Sequence, residues 1–291
     1  NQRLVGTPHQ NAAKSLLGHV YLQRKEYAKA VELFKEVIDS NRYSLVPIAA
    51  PREFEKIFGP VLTSSEEIFS LKNTPTQGWE FVMFCSHPNA RIEGKPMHPS
   101  GGWFGLYTLS TNLIIEEWDD NDMRKGYNLL NLDFGMGDNT YLSVKFYDTE
   151  SPSGAANSNP VIRYADILLM YAEAVTMVND APNSDAMEKL NMVRRRAYGY
   201  SPDAPSIVDL KLSDYATKEL FIELIVKEQA YENYNEAKRW PLLTRLGIAK
   251  QEIKKVKGID VDDKHLLFPI PVTEFSYNKG LDATKDQNPG Y

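Results

Sequence analysis

The chain of 291 residues contains a single cysteine, Cys85. One thiol excludes an intramolecular disulfide and any zinc site built from several cysteines. Long apolar runs are missing too. The longest, Ile167–Ala172, falls far short of the roughly 20 residues that a membrane-crossing helix needs. No run of Lys and Arg stands out, and the formal net charge is -6. That balance argues against nucleic acid, which attracts basic faces. The opening NQRLVGTPHQ lacks a charged region followed by an apolar one. It is read as the start of a cytosolic protein, or of a mature or trimmed form.

Motifs of catalysis are equally scarce. The sequence has no HExxH, no GxSxG and no Gly-rich phosphate loop. Its five histidines, His9, His19, His87, His98 and His265, include no pair with metal-ligand spacing. His87 and His98 flank SHPNARIEGKPMHP and are read as surface-loop residues able to bond a ligand. The acidic cluster Glu116, Glu117, Asp119, Asp120 and Asp122 lacks the glycine and spacing of a calcium loop. It reads as a solvated loop. No catalytic residue, metal or cofactor is assigned, and the chain is expected not to be an enzyme.

What is present is an ordinary globular composition, 42% hydrophobic, 25% charged and 11% aromatic. Residues 9–40 read as a helical hairpin. Apolar positions recur at spacings of three and four: Leu16, Leu17, Val20 and Tyr21, then Ala30, Val31, Phe34 and Val37. Gly18 and Ala30 fall where two antiparallel helices approach closely. The pattern resembles a tetratricopeptide unit, without its first Trp. A lone hairpin cannot bury its own face, so such units stack. Two further pairs are expected. One spans about Asn159–Val178 and Ser184–Tyr198; the other starts near Ser213 and continues through LFIELIVKEQAYENYNEAKRW.

Residues 47–157 differ in character. They hold Trp79, Trp103, Phe104 and Trp118, broken by Gly- and Pro-rich loops. EEIFSL (66–71) and WEFVMF (79–84) have the look of strands. An irregular, aromatic-rich insert in a helical scaffold is where binding usually sits. The stretch from Leu266 to Tyr291 is expected to be mostly extended. NPVIRYADILLMYAEA (159–174) is apolar around almost its whole circumference, as an inner helix would be. Its charges Arg163, Asp166 and Glu173 form one narrow stripe, either unburied or facing Arg194, Arg195 and Arg196.

Several stretches then agree in order: SHPNARIEG, DDNDMR, VKFYD, NPVIRYADILLMYAEA, LNMVRRRA, IVKEQAYENYNEAKRWPLL, LLFPIP and the terminal QNPGY. Together they resemble the SusD/RagB family of outer-membrane nutrient-binding lipoproteins. The resemblance covers essentially the whole chain. It implies a mostly α fold, with a tetratricopeptide-like hairpin scaffold and an irregular, loop-rich ligand-binding insert. It further implies a cell-surface, non-enzymatic protein that binds an oligosaccharide, or in some members a peptide, and delivers it to a SusC-type TonB-dependent transporter. Attachment is to the outer face of the outer membrane, through an N-terminal lipid anchor that this chain lacks. Family members are usually longer, so an N-terminal portion is expected to precede Asn1. The expected regions are 1–50 (hairpin), 51–157 (insert) and 158–291 (scaffold and tail), within one structural domain.

One family motif is altered. Glu228, Glu232, Glu236, Arg239, Trp240 and Leu243 match, while Gln229, Ala237 and Leu242 stand where the family has Arg, Gly and Asp. The Glu228–Arg239 set lies on one helix face. It reads as a salt-bridge stripe facing the Arg194–Arg196 run or solvent, not as an acid–base pair. Asp122 and Arg124 form a structural D-x-R element. Trp118 and Trp240 are assigned to the core. The candidate ligand-binding residues are Trp79, Trp103, Phe104 and Tyr107, for stacking against sugar rings, with Asn89, Arg91 and Asn112 for the hydroxyls. Two other functions compete with glycan binding. One is a glycoside hydrolase using Glu116 or Asp119; the other is a tetratricopeptide adaptor for a protein partner.

Overall fold

The computed structural model describes residues 6–61, 63–76, 86–99, 101–102, 105–133, 140–152 and 155–291. The chain divides into two compact units, Asn1–Ala237 and Lys238–Tyr291. The architecture is mostly helical, as the sequence indicates. In the first unit, α1 (Gln10–Gln23) and α2 (Tyr27–Asp39) form the expected hairpin. Gly18 is required there. A Cβ at that position would lie 2.6 Å from the Phe34 ring. Three further long helices follow: α3 (Tyr164–Asn179), α4 (Ser184–Ala197) and α5 (Lys218–Glu232).

Helix α3 is the centre of the scaffold. It packs against α1, α2, α4 and α5, and every residue from Tyr164 to Thr176 is buried. The helix begins later than its sequence suggests. Asn159–Arg163 is a strand, β7, paired antiparallel with β1 (Glu67–Leu71), with Glu67 opposite Arg163 and Leu71 opposite Asn159. The expected polar stripe is not unburied, because Arg163, Asp166 and Glu173 are all buried. Nor does Arg163 belong to the helix surface. It is the N-cap residue, and Asp166 reaches back to its backbone N–H at 2.8 Å.

The irregular half has its own frame. A hairpin of β2 (Arg91–Ile92) and β3 (Lys95–Pro96) precedes a three-stranded sheet. In that sheet β6 (Thr140–Ser143) lies between β4 (Tyr107–Leu109) and β5 (Leu129–Asn131). Beneath it sits an aromatic core of Phe54, Phe58, Tyr127, Phe146 and Tyr147. Phe146 and Phe58 meet edge to face, with centroids 5.8 Å apart. Trp118 is buried, as expected, and stacks on Tyr231 at 4.7 Å. That stack joins the irregular half to α5.

The second unit contains α6 (Arg239–Leu246) and α7 (Ala249–Lys257). Trp240, assigned to the core, is partly buried there. The tail is not merely extended, since Val272–Tyr277 is a short helix. The two end motifs meet. Gln287 bonds both backbone groups of Ile270 (2.8 and 3.0 Å), Asn288 donates to the Phe268 carbonyl at 2.6 Å, and the Tyr291 hydroxyl donates to Leu267 at 3.1 Å.

Helix α5 ends at Glu232 rather than running on to Trp240. Asn235 and Ala237 both take positive φ, 58° in each case. Ala237 stands where the resembling family has Gly, the residue suited to that conformation. An L side chain in the left-handed region costs roughly 1–2 kcal/mol. Ala237→Gly is therefore expected to raise stability by about 1 kcal/mol, measured by urea unfolding at constant m-value.

Candidate functional site

Three of the sequence-selected aromatics, Trp79, Trp103 and Phe104, lie outside the described residues, as does the segment WEFVMF. Tyr107 is described. It sits on β4 opposite Leu142 and is 41% exposed, with Leu106 and Leu109 exposed beside it. The loop that leads into β4 is closed at its neck, where the Gly105 amide donates to the Ser86 carbonyl at 3.1 Å. Gly102 lies against that neck; a Cβ there would be 2.7 Å from the Ser86 carbonyl group.

The polar candidates divide. Asn89 and Arg91 are exposed in the same loop. The Arg91 guanidinium donates to the carbonyls of Pro88 and Ala90 at 2.7 and 3.0 Å, which holds its stem against the turn. Asn112 is committed within the protein. Its Oδ1 accepts from Ile114 N–H at 3.1 Å, capping the turn Leu113–Glu116, and its Nδ2 donates to Thr108 Oγ1 at 3.2 Å. Its place four residues after Thr108 ties that turn to β4.

His98 departs from expectation. It is 1% exposed, a core residue of the loop rather than a surface one. Burial pushes its pKa down to about 4 against the opposing pull of Asp148, so the ring is neutral at pH 7. Among the acidic cluster, Glu116, Asp119 and Asp120 are solvated but Asp122 is buried. Asp119 accepts from the Asn121 amide, and this bond and the Tyr198 hydroxyl hold its carboxyl below the ordinary range. A general acid needs the opposite shift.

The strongest electrostatic feature of the described residues is buried. Glu232, at the end of α5, contacts Arg196 (2.6 Å), Arg163 (2.9 Å) and Arg124 (3.1 Å). Arg196 and Arg163 also reach Glu66, at 2.6 and 3.4 Å. Arg124 forks onto Asp122 and Glu228, both at 2.6 Å. Glu236 binds Arg163 and Lys145, again at 2.6 Å each, and the Lys145 ammonium donates to the Glu232 carbonyl at 2.9 Å. Phe58 lies under the Lys145 and Arg163 cations, 4.1 and 4.9 Å from its centroid.

Burial alone would raise the Glu232 carboxyl. Arg196, Arg163, Arg124 and Lys145 outweigh it and hold Glu232 well below the usual carboxylate range. At Glu66 burial wins, and the carboxyl is raised despite Arg196 and Arg163. Burial pushes Lys145 down to about 8, against the attraction of Glu236.

The glutamate stripe is thus structural, as read from the sequence, but only part of the Arg run faces it. Successive helical residues point about 100° apart. Arg196 enters the cluster, Arg195 binds Glu188 and Asp209 (2.7 and 2.6 Å), and Arg194 donates to the Val208 carbonyl at 2.8 Å. Arg239 turns to Glu252 at 2.8 Å. The sequence reading missed Glu66 and Lys145. The available signal for Lys145 was a charge set inside the apolar run VKFY.

This arrangement gives physical meaning to motifs that lie far apart in the chain. DDNDMR supplies Asp122 and Arg124, VKFYD supplies Lys145, and NPVIRYAD supplies Arg163. LNMVRRRA and the IVKEQ segment supply Arg196 and the three glutamates. The SusD family model matches residues 90–291. This chain belongs to the SusD family. Among curated proteins, none matches the sequence.

Solved SusD structures share the fold. A SusD superfamily protein from Parabacteroides distasonis ATCC 8503 is 23% identical with a TM-score of 0.74, over 100% of this chain and 64% of that one. Surface glycan-binding protein A from Bacteroides fluxus is 22% identical with a TM-score of 0.74, over 98% and 63%. Surface glycan-binding protein A from Bacteroides thetaiotaomicron, in complex with laminarihexaose, is 18% identical with a TM-score of 0.75, over 99% and 65%. The chain therefore spans less than two thirds of each of these proteins.

The buried cluster predicts a defined acid response. An unfolded Glu232 titrates near 4.5, the folded one well below. Its stabilising contribution is present above that unfolded value and is lost as pH falls toward the folded one. Glu232→Gln is expected to cost about 3–5 kcal/mol at neutral pH, because three guanidinium groups lose their common partner. The variant should also lose stability less steeply on acidification below about pH 4.5, the ordinary value of the glutamate carboxyl. Urea unfolding at a series of pH values measures both.

Proposed function

We propose that this SusD-family chain is the ligand-holding part of a cell-surface protein that binds an oligosaccharide without transforming it. The observation that carries this reading is the exposed Tyr107, presented by an irregular half that is itself fastened to a rigid scaffold. A sugar ring has an apolar C–H face that a half-exposed aromatic can cover, while exposed polar groups such as Asn89 and Arg91 bond hydroxyls. The laminarihexaose complex of a protein with the same fold supports the ligand class.

The bound glycan would pass to a SusC-type TonB-dependent transporter at the outer face of the outer membrane. A lipid anchor would hold the protein there. No helix of the described residues is long and apolar enough to cross a membrane. No cofactor enters this reading, and among the described residues no group of His, Cys, Asp and Glu is suited to a metal ion. The reading sets aside the hydrolase that Glu116 or Asp119 would serve, because the Asp119 carboxyl is held below the ordinary range whereas a general acid is raised above it.

Calorimetric titration with neutral oligosaccharides tests this. Tyr107→Ala is expected to weaken binding about 3- to 10-fold, roughly 0.7–1.4 kcal/mol, with thermal unfolding used to check that the variant is folded. Binding of peptides and of no glycan would replace the reading with a RagB-like peptide binder. Reducing-sugar release by the purified chain would contradict it outright.

A further inference from the structure

Beyond the end of β1 the surface opens into a cavity of about 490 Å³. That is within the roughly 300–1,000 Å³ of small-molecule sites. Val61, Pro75 and Ala156 give it apolar walls, and Lys72, Asn73 and Ser158 line it with polar groups. None of these belongs to the residues selected from the sequence. We propose that this cavity is a subsite for a neutral sugar unit; the proposal rests on the glycan-binding reading above.

The walls are held in place. Asp148 accepts from the amides of Glu150, Ser151 and Ala156 at 3.0, 3.0 and 2.9 Å, and from the Ser151 hydroxyl. Burial would raise the Asp148 carboxyl, but the Ser151 hydroxyl and those three amides hold it below the ordinary value. The next residues are pinned by Asn157. Its Nδ2 donates to the carbonyls of Phe58 and Tyr147 at 2.8 and 3.0 Å. The facing wall is tied to the same residue, because Asn73 Nδ2 donates to the Asn157 carbonyl at 2.8 Å. A ligand entering this cavity therefore meets walls already fixed, which lowers the ordering cost of binding.

The electrostatics select the ligand class. Lys72 is paired with Glu67 and also donates to Ser158 Oγ at 3.3 Å. Glu150, at the rim, is paired with Lys95. Each charge already has an opposite partner, so among the described residues the cavity offers neither an unanswered cation for a uronate nor an unanswered anion for an amino sugar. Hydrogen-bonding capacity remains. Asn73 keeps its side-chain carbonyl as an acceptor, and Ser158, which accepts from Lys72, keeps its hydroxyl proton to donate. Apolar walls with amide and hydroxyl groups suit a neutral hexose, whose ring carries C–H faces edged with hydroxyls.

The test is calorimetric titration of the chain with neutral hexasaccharides, laminarihexaose among them, and with hexagalacturonate as the acidic counterpart. Ala156→Trp fills the cavity from its wall, and Thr74→Trp fills it from its exposed edge. For a neutral hexasaccharide that binds the native chain, each variant should weaken binding at least about tenfold, with hexagalacturonate about tenfold weaker than the neutral ligand on the native chain. Thermal unfolding checks that each variant is folded; if Ala156→Trp is not, Thr74→Trp decides. Native-like binding by a folded variant overturns the cavity assignment and leaves the glycan-binding reading standing. Stronger binding of the acidic ligand overturns the neutral-sugar claim. A native chain that binds none of the hexasaccharides fails the glycan-binding reading, and the subsite falls with it.

Discussion

Glu232 is the point where the first unit is tied together. Its carboxylate lies among Arg124, Arg163 and Arg196, with the Lys145 ammonium on its backbone carbonyl. These residues come from a short helix, the strand β7, the helix α4 and the segment after β6. No local propensity brings such elements together. A buried charge removed from water is costly unless several partners replace the solvent. Once the partners are in place, any alternative packing that separates them leaves charges stranded. The cluster therefore selects one arrangement of the elements more than it adds stability.

That constraint explains how an irregular half is presented reliably. The described residues between β1 and β7 have little regular structure, and three-residue strands are weak on their own. Lys145 and Arg124 fasten this half to α5, and the Trp118–Tyr231 stack does so again. Binding groups on loops need such support, since small displacements lose complementarity. The exposed face of β4 and the cavity beyond β1 are both one short step from fastened residues. β6 carries Leu142 opposite Tyr107, and Lys145 follows it by two residues beyond Ser143.

Much of the helical scaffold was legible from the spacing of apolar residues in α1, α2, α4 and α5, and α4 and α5 also start at the ordinary N-caps Asn183 and Thr217. Helix α3 was legible as buried, yet its start was not. NPVIR is as apolar as the helix that follows, and only pairing with β1, far away in sequence, makes it a strand. The charges of that stretch were misplaced for the same reason. A stripe at helical spacing suggests a solvent face, whereas the partners of Arg163 lie on other elements. His98 and Asn112 show the limit for the loops. Burial of one and capping by the other depend on tertiary surroundings that composition does not encode. Ala237 shows the same limit, since its departure from a family glycine is visible in the sequence but the left-handed turn it occupies is seen only in the backbone, at a φ of 58°.

The buried ionic cluster fastens the irregular half to the helical scaffold. Native-state hydrogen exchange on Lys145→Met measures this directly. Methionine keeps much of the side-chain volume but removes the ammonium that bridges to Glu232 and Glu236, while Glu236 retains Arg163. Faster exchange is expected at the amides of β4 and β6, with the α1–α2 hairpin protected as in the native chain. Unchanged protection in the sheet, or an equal loss throughout the first unit, would contradict it.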